Sequence, residues 1–555
     1  MTQVSNARLY RWHVGAFALY AFFAWLFIDH GVSLFDNVSG SGKDPYIFIW
    51  DFAWWPWAIA HHQNLLHTDL LWQPLGVYLG WITSIPFLSL IGAPLTLWFG
   101  PVFTYNLFIL LAPVFGAFTT YFLCLKITKN PVAALFGGYL FGFSSYEMAQ
   151  EIAALNLNFT MFIPALLLVI LMRLDDELKR WQTCLLVSLL LACEFMTCIE
   201  FFALIFVFGG FIWLFALMYL DDYRPKLRRL FIDGLYAAPL TALILSPFLV
   251  SMLTHIDYVK LPAFWPYYFT IDFFNIFLPG HNILIGGGWF HALDNHFHDD
   301  FQEQDGYIGI PLLLVLYWFF KGHASSGGPR FLLISLLMLI IFSFGPQLWV
   351  NGAYSVLPLP WVAIMKLPLL SAALPCRFFV FSSLAIAVVA ALWMARMLAQ
   401  QRFGLAALMA GLCVVTLIPG PHPWGKIPAS DFFKPGRVEA ILGHDPQIMI
   451  IPSGINGYSS YWQVQSKFAF RQTGGYLGFA PAAMQPDQAV QDFYLLGLHA
   501  EHPAALKAYC ITTGTQYIVA GPGTPADILD ELAHLDWPVQ KIDDVMIVTV
   551  PKAQS

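Results

Sequence analysis

Apolar runs long enough to cross a bilayer recur along this chain, and they restrict it to one kind of fold before any motif is read. They lie at 12–28, 102–124, 132–149, 157–173, 182–199, 201–220, 231–251, 307–320, 331–345, 377–395 and 403–419, near the ~20 residues that a spanning helix requires. Only 11% of the 555 residues are charged and 58% are hydrophobic, whereas a soluble domain carries about 25% charged residues. The expectation is a polytopic α-helical membrane protein with about eleven transmembrane helices.

The basic residues supply the sidedness. With the N-terminus in the cytoplasm, one side collects Arg8 and Arg11, Lys126 and Lys129, and Arg173, Lys179 and Arg180. It also takes Arg224, Lys226, Arg228 and Arg229, then Lys321 and Arg330, then Arg396 and Arg402, which makes fifteen of the 27 Lys and Arg. The outward loops keep only Lys43, Lys260, Lys366 and Arg377, as the positive-inside rule demands. Residues 79–99 are apolar enough to span, which would invert every later cluster. Pro86, Gly92 and Pro94 interrupt them, so they read as re-entrant or interfacial. No small-residue cleavage site follows the first apolar run, which therefore reads as a retained helix and not a signal peptide.

Beyond the linker Pro419-Gly420-Pro421-His422-Pro423 the chain changes character. Short β-type runs at 448–451, 517–520 and 545–550 alternate with helical stretches near 487–509 and 524–534, the pattern of a small α/β domain. The expected division is a transmembrane domain over 1–420 and an exported, periplasmic α/β domain over 421–555. The net charge of −7 leaves no nucleic-acid footprint. Six of the seven cysteines sit in or beside apolar runs and none forms a CxxC pair, so they read as small buried hydrophobes.

Polar groups gather on the outward side. After the first span, a Gly/Ser loop carries Asp36, Lys43 and Asp44 and runs into Trp50-Asp51-Phe52-Ala53-Trp54-Trp55-Pro56-Trp57, followed by His61 and His62. Indoles favour the headgroup level of a bilayer, so this segment is expected to form an interfacial helix framing an entrance. A carboxylate there can deprotonate an acceptor hydroxyl; Asp44 before Pro45 also fits a helix start, and Asp36 is held in reserve. Glu147 and Glu151 lie in the next outward loop, Glu194 and Glu200 near the outward end of a span, and Glu303 in a long loop. That loop also holds Asp294, His296 and His298, types suited to a divalent cation such as Mg or Mn, although a solvated acidic loop has the same composition. Arg377 and Lys366 are the outward basic residues nearest a membrane entry. Arg fits a phosphate bidentately, and an interfacial snorkelling anchor is the other reading.

These features together resemble the GT-C superfamily, integral-membrane glycosyltransferases that use polyprenyl-phosphate-linked sugars. More narrowly, the chain resembles a group of bacterial membrane proteins through Asp44-Pro45…Trp50, Gln73-Pro74-Leu75-Gly76-Val77, Tyr307-Ile308-Gly309-Ile310-Pro311 and Leu357-Pro358-Leu359-Pro360-Trp361. Leu374-Pro375-Cys376-Arg377 and Tyr461-Trp462-Gln463…Gly474-Gly475-Tyr476 complete that likeness. The resemblance implies inverting transfer of a sugar from a polyprenyl-phosphate carrier to an envelope glycan or lipid, at the outer face of the cytoplasmic (inner) membrane. It implies Asp44 as general base, Glu147 or Glu151 positioning acceptor or metal, and Arg377 on the carrier phosphate, with Lys366, Lys43, His61, His62, Glu200 and Glu303 as further binding candidates. Two other classes stay open: a flippase for a lipid-linked glycan, and a non-catalytic assembly protein whose Tyr458, Tyr461, Trp462 and Tyr476 stack on sugar or simply form core.

Overall fold

The computed structural model describes residues 6–297, 302–322, 324–325, 327–367, 370–495 and 503–551. The chain forms two compact units by interleaving: 1–32, 107–244 and 262–423 make one, and 33–106, 245–261 and 424–555 the other.

The first unit is helical. Among the described residues, five helices are long and apolar enough to cross a membrane: Tyr10–Asp29, Pro101–Thr128, Leu155–Leu174, Ile199–Tyr219 and Cys376–Ala399. A sixth is counted if the helices either side of Leu245 are one broken span. Ile310–Phe320, Gly327–Ser343 and Phe403–Thr416 are apolar but shorter. Two of the expected runs are broken. The run 132–149 ends as a helix at Gly142, and a separate short helix, Ser145–Gln150, follows. Ser144 breaks it by taking an extended backbone and accepting the Glu147 N–H on its side chain, a standard helix start. The run 231–251 divides into Arg224–Ile244 and Ser246–Thr254, because Pro247 supplies no N–H to continue the first helix. Close packing fixes the Pro131–Gly142 helix: a methyl on Gly138 would collide with the Tyr20 hydroxyl, so only glycine admits that contact.

Ion pairs join several of the basic loops. Lys126 binds Asp175 at 2.7 Å, Arg229 binds Asp176 at 2.6 Å, and Arg173 and Arg180 grip Asp233 at 2.6 and 2.7 Å. Three of the basic loops assigned to one side therefore meet.

A further element was not read from the sequence. Strands Gln347–Val350 and Ala353–Pro358 pair antiparallel around Asn351-Gly352. Both turn residues have positive φ, 52° and 76°, as a tight Asn-Gly hairpin turn requires.

The second unit is built on a five-stranded sheet with strand order Val539–Ile542, Val545–Thr549, Tyr517–Ala520, Gln447–Ile451 and Arg471–Gln472. Helices Pro503–Thr513 and Ala526–Ala533 belong to the same unit. The first loop is part of this unit. Strand Asn37–Ser39 pairs with Trp424–Lys426, and the helix Pro45–Ala60 enters the sheet's core, where Trp50, Trp54 and Trp55 are at most 2% exposed. Trp50 Nε1 donates to Gln463 Oε1 at 2.8 Å, and Gln463 Nε2 donates to the carbonyls of Leu70 and Phe470 at 3.0 Å. The tryptophan segment is thus core and not an interfacial helix: an aromatic helix buries more area against a sheet than against headgroups. Exposed aromatics occur one helix later, in Pro86–Phe99, where Trp98 is 77% exposed. Its 14 residues span about 21 Å at 1.5 Å per residue, short of a ~30 Å hydrocarbon core.

Asp51 joins these two helices. Fully buried, it accepts the Ile85 N–H at 2.9 Å where Pro86–Phe99 begins. Burial pushes its carboxyl up to about 8, against the opposing Ile85 hydrogen bond. The folded state therefore holds a proton that the unfolded chain, with an ordinary Asp near 3.9, releases. That contribution is complete below pH ~4 and is lost as pH rises through about 8. Asp51→Asn, which mimics the protonated acid, should flatten the decline in melting temperature between these limits. Asp51→Ala should instead destabilise by about 1–3 kcal/mol, since the buried Ile85 N–H loses its acceptor. Melting curves across pH for the three proteins check both outcomes.

Candidate functional site

Two polar clusters carry the candidate residues, one in each unit. In the second unit, Gly40 and Gly42 turn the loop with φ of 97° and 76° and deliver Lys43 and Asp44 to the start of the Pro45–Ala60 helix. Asp44 occupies the cap position with helical φ and ψ of −59° and −35°, and its side chain makes no capping hydrogen bond. Its Oδ1 instead accepts the Tyr476 hydroxyl at 2.6 Å. The carboxylate is half-buried and held by a residue of the C-terminal segment. Lys43 Nζ lies 3.3 Å from the centre of the Tyr458 ring, within cation–π range. Tyr46 packs edge-on to Tyr458 and Tyr461, at 5.1 and 5.9 Å. Asp36, the reserve candidate, is exposed and accepts Ser33 Oγ at 2.7 Å, which makes it a turn residue. His61 and His62 are exposed at the end of the helix, the first stacked on Trp57 at 4.3 Å.

The first unit gathers the remaining acids around the short helix Ser145–Gln150. Glu147, Gln150 and Glu151 stand three and four positions apart, the spacing of one helical face, and all three are buried. Ser144 caps this helix, but its own N–H donates to the Phe141 carbonyl at 3.1 Å, so the Glu147 side chain makes no reciprocal capping bond of the kind that the Ser-x-x-Glu spacing would allow. Glu147 Oε1 accepts Thr160 Oγ1 at 2.6 Å, Asn158 Nδ2 donates to its backbone carbonyl at 2.9 Å, and Oε2 has no hydrogen-bond partner. Burial pushes this carboxyl well above the ordinary range, with the Thr160 hydrogen bond opposing. Glu151 Oε2 lies 2.7 Å from His422 Nδ1, so the residue read as mere linker holds a buried acid.

Gln150 Nε2 bridges two carboxylates, Glu303 Oε2 at 3.0 Å and Asp305 Oδ2 at 3.3 Å. Burial would raise Glu303, but the Arg377 charge and hydrogen bonds from Arg377 and Gln150 hold it below its usual value. Burial, with the Glu303 charge beside it, pushes Asp305 well above. One environment thus pushes the titration of two neighbouring acids in opposite directions, the condition for acid and base roles to differ. Arg377 Nε and Nη2 donate to Glu303 Oε1 at 3.1 and 2.9 Å, and Nη1 donates to Glu200 Oε2 at 3.1 Å. Three of the seven binding candidates, Arg377, Glu200 and Glu303, are therefore in contact. The Arg377 guanidinium neutralises two acids, so a phosphate would have to exchange with one of them. Lys366 is exposed. Glu194 is buried in Arg180–Phe195, with no hydrogen-bond partner on either oxygen.

Asp294 ends a one-turn helix, His291–Asp294, His296 is exposed just after it, and His298 lies outside the described residues. Among the described residues no three His, Cys, Asp or Glu gather as a metal site. Thr160, Gln150, Asp305 and His422 are partners to which sequence reasoning gave no site role, and Tyr476 was read as a stacking or core residue and not as the partner of Asp44. The i, i+3, i+4 spacing of Glu147, Gln150 and Glu151 was the available signal for Gln150.

No protein-family model and no curated protein matches the chain. Solved structures do. The archaeal oligosaccharyltransferase AglB from Archaeoglobus fulgidus, in complex with an inhibitory peptide and a dolichol-phosphate, is 14% identical, with a TM-score of 0.50 over 92% of this chain and 69% of that one. A second structure of the Archaeoglobus fulgidus oligosaccharyltransferase, with Zn and sulfate, is 12% identical, with a TM-score of 0.51 over 91% and 68%. The arabinofuranosyltransferase AftD from Mycobacteria is 11% identical, with a TM-score of 0.59 over 100% of this chain and 42% of that one. At these identities the likeness is one of fold.

Proposed function

From a fold shared with GT-C glycosyltransferases, we propose that this protein transfers a sugar from a polyprenyl-phosphate carrier to a hydroxyl of an envelope glycan or lipid, on the outer face of the cytoplasmic membrane. The observation that carries the reading is the Asp44 carboxylate, presented at a helix start, unspent on the cap and oriented by Tyr476. Asp44 takes the acceptor proton, and the acceptor oxygen attacks the anomeric carbon opposite the leaving group. The bond from that carbon to the phosphate oxygen breaks, and polyprenyl phosphate leaves with the electron pair. Within the other unit, Glu147 has one oxygen fixed by Thr160 and the other unpartnered and is the acid available to hold an acceptor hydroxyl, and Arg377, which holds Glu200 by a single bond, is the group available to a phosphate. This placement puts the N-terminus in the cytoplasm and the sheet-bearing unit outside.

The test is the purified full chain in liposomes with polyprenyl-phosphate sugars as donors and extracted envelope lipids and glycans as acceptors. A new glycosidic linkage with release of polyprenyl phosphate is the expected result. Movement of the donor across the bilayer with no new linkage would replace this reading by the flippase. Arg377→Lys should raise KM for the donor more than it lowers kcat, because the bidentate fork is lost while the charge stays.

A further inference from the structure

The hairpin Gln347–Val350/Ala353–Pro358 is built in a way that water does not favour. Strands of a soluble sheet bury one face and expose the other, yet Ala353–Pro358 exposes both: Val356 is 98% exposed, and the adjacent Leu357 and Tyr354 are 63% and 62% exposed. No Asp, Glu, Lys, Arg or His occurs from 331 to 365, so the charges that normally blunt an edge strand are missing. A two-stranded hairpin has little stability of its own, but this one is pinned at three places. Asp272 accepts the N–H groups of Asn351 and Gly352 at 3.0 and 2.9 Å. Leu359 N donates to the Pro346 carbonyl at 2.8 Å, and Trp349 Nε1 to the Tyr267 carbonyl at 3.1 Å. A methyl on Gly352 would run into the His296 carbonyl, so the tip is seated closely. The hairpin is an apolar surface held rigidly in place.

Its position says what covers it. Strand Gln347–Val350 begins four residues after the apolar helix Gly327–Ser343 ends. That helix still exposes Leu337 and Ile341, by 50% and 41%, as a lipid-facing helix does. Residues 344–346 between them are buried, so the hairpin leaves directly from the end of that apolar helix. An open strand edge cannot enter hydrocarbon, where its N–H and C=O groups would find no partners, whereas Trp and Tyr favour the headgroup level. We propose that the hairpin of residues 347–358 is a membrane-surface anchor, lying in the headgroup and glycerol region of the leaflet at the end of the Gly327–Ser343 helix, with Val356 and Leu357 facing the lipid. This inference does not depend on the glycosyl-transfer reading.

The full chain carrying Val356→Cys, labelled with bimane and reconstituted in phosphatidylcholine vesicles, tests it, with Leu357→Cys as a second position and the parent chain as a control for labelling of native cysteines. Lys434→Cys, at an exposed side chain, gives the aqueous reference. Nitroxide placed near the lipid glycerol should quench V356C and L357C several-fold more than nitroxide at the chain end, and iodide should quench them several-fold less than K434C. Iodide quenching equal to that of K434C would overturn the proposal. So would strongest quenching by the chain-end nitroxide. Efficient disulfide trapping of V356C between two copies, with no lipid quenching, would also overturn it by making the cover a second chain.

Discussion

Asp44→Asn is expected to leave the protein folded and to lower glycosyl transfer by about 10²–10⁴-fold, the usual contribution of a positioned general base. The amide keeps an oxygen to accept the Tyr476 hydroxyl, so the contact between helix and C-terminal segment persists. The stability should change only by the difference between a charge-assisted and a neutral hydrogen bond, about 1 kcal/mol. What the amide cannot do is take a proton. The loss should therefore fall on kcat, with KM for donor and acceptor nearly unchanged. Tyr476→Phe provides the companion measurement. It removes the hydroxyl that orients the carboxylate and leaves the base in place, so its loss should be smaller than that of Asp44→Asn. Full transfer by the Asp44→Asn protein would end the assignment, and a loss of folding in that variant would show that the contact is structural.

Arg377→Met is expected to destabilise by about 3–5 kcal/mol, because it leaves buried carboxylates without their counter-charge. The guanidinium makes three hydrogen bonds to Glu200 and Glu303, and no side chain other than Arg offers that fork. The mechanism can be separated from lost packing by adding Glu200→Gln and Glu303→Gln. If the cost is unpaired charge, the triple variant recovers most of the stability, since replacing all partners by neutral groups can be nearly free where removing one is not. Thermal unfolding in nanodiscs reads both. A triple variant as unstable as Arg377→Met would show instead that the arginine stem's packing sets the cost.

How far these features were legible depended on the kind of physics behind them. Charge has a sign that survives any local conformation, so the basic loops around Lys126, Arg173 and Arg229 could be grouped together, and they meet through their acids. Apolar patterning is weaker, because lipid tails and a protein core are equally apolar. The Trp50–Trp57 segment therefore read as interfacial although it is core, whereas the helix with an exposed indole at Trp98 lies within 79–99, the run read as re-entrant or interfacial. The Asp44–Tyr476 bond joins residues 432 positions apart, and no window of sequence contains it. The Asn351-Gly352 hairpin was a local signal, masked by the apolar composition around it. The span breaks at Ser144 and Pro247 were masked in the same way.

The interleaving of the second unit has a consequence for how the protein is made. Residues 33–106 find their strand partner, their core and the Gln463 side chain that holds Trp50 only in the segment after residue 423. At about 5–20 residues per second, the ribosome needs roughly 15–60 s to reach that segment after the first loop has emerged. During this interval Trp50, Trp54 and Trp55 have only the neighbouring residues 70–82 of their core to cover them and lack the sheet. The nascent chain must store its own unfinished domain, either against the membrane or in the hands of a chaperone, until the last quarter of the polypeptide arrives. Arrest of translation before residue 424 should therefore leave the loop open to protease, while the helices made in the meantime are already inserted.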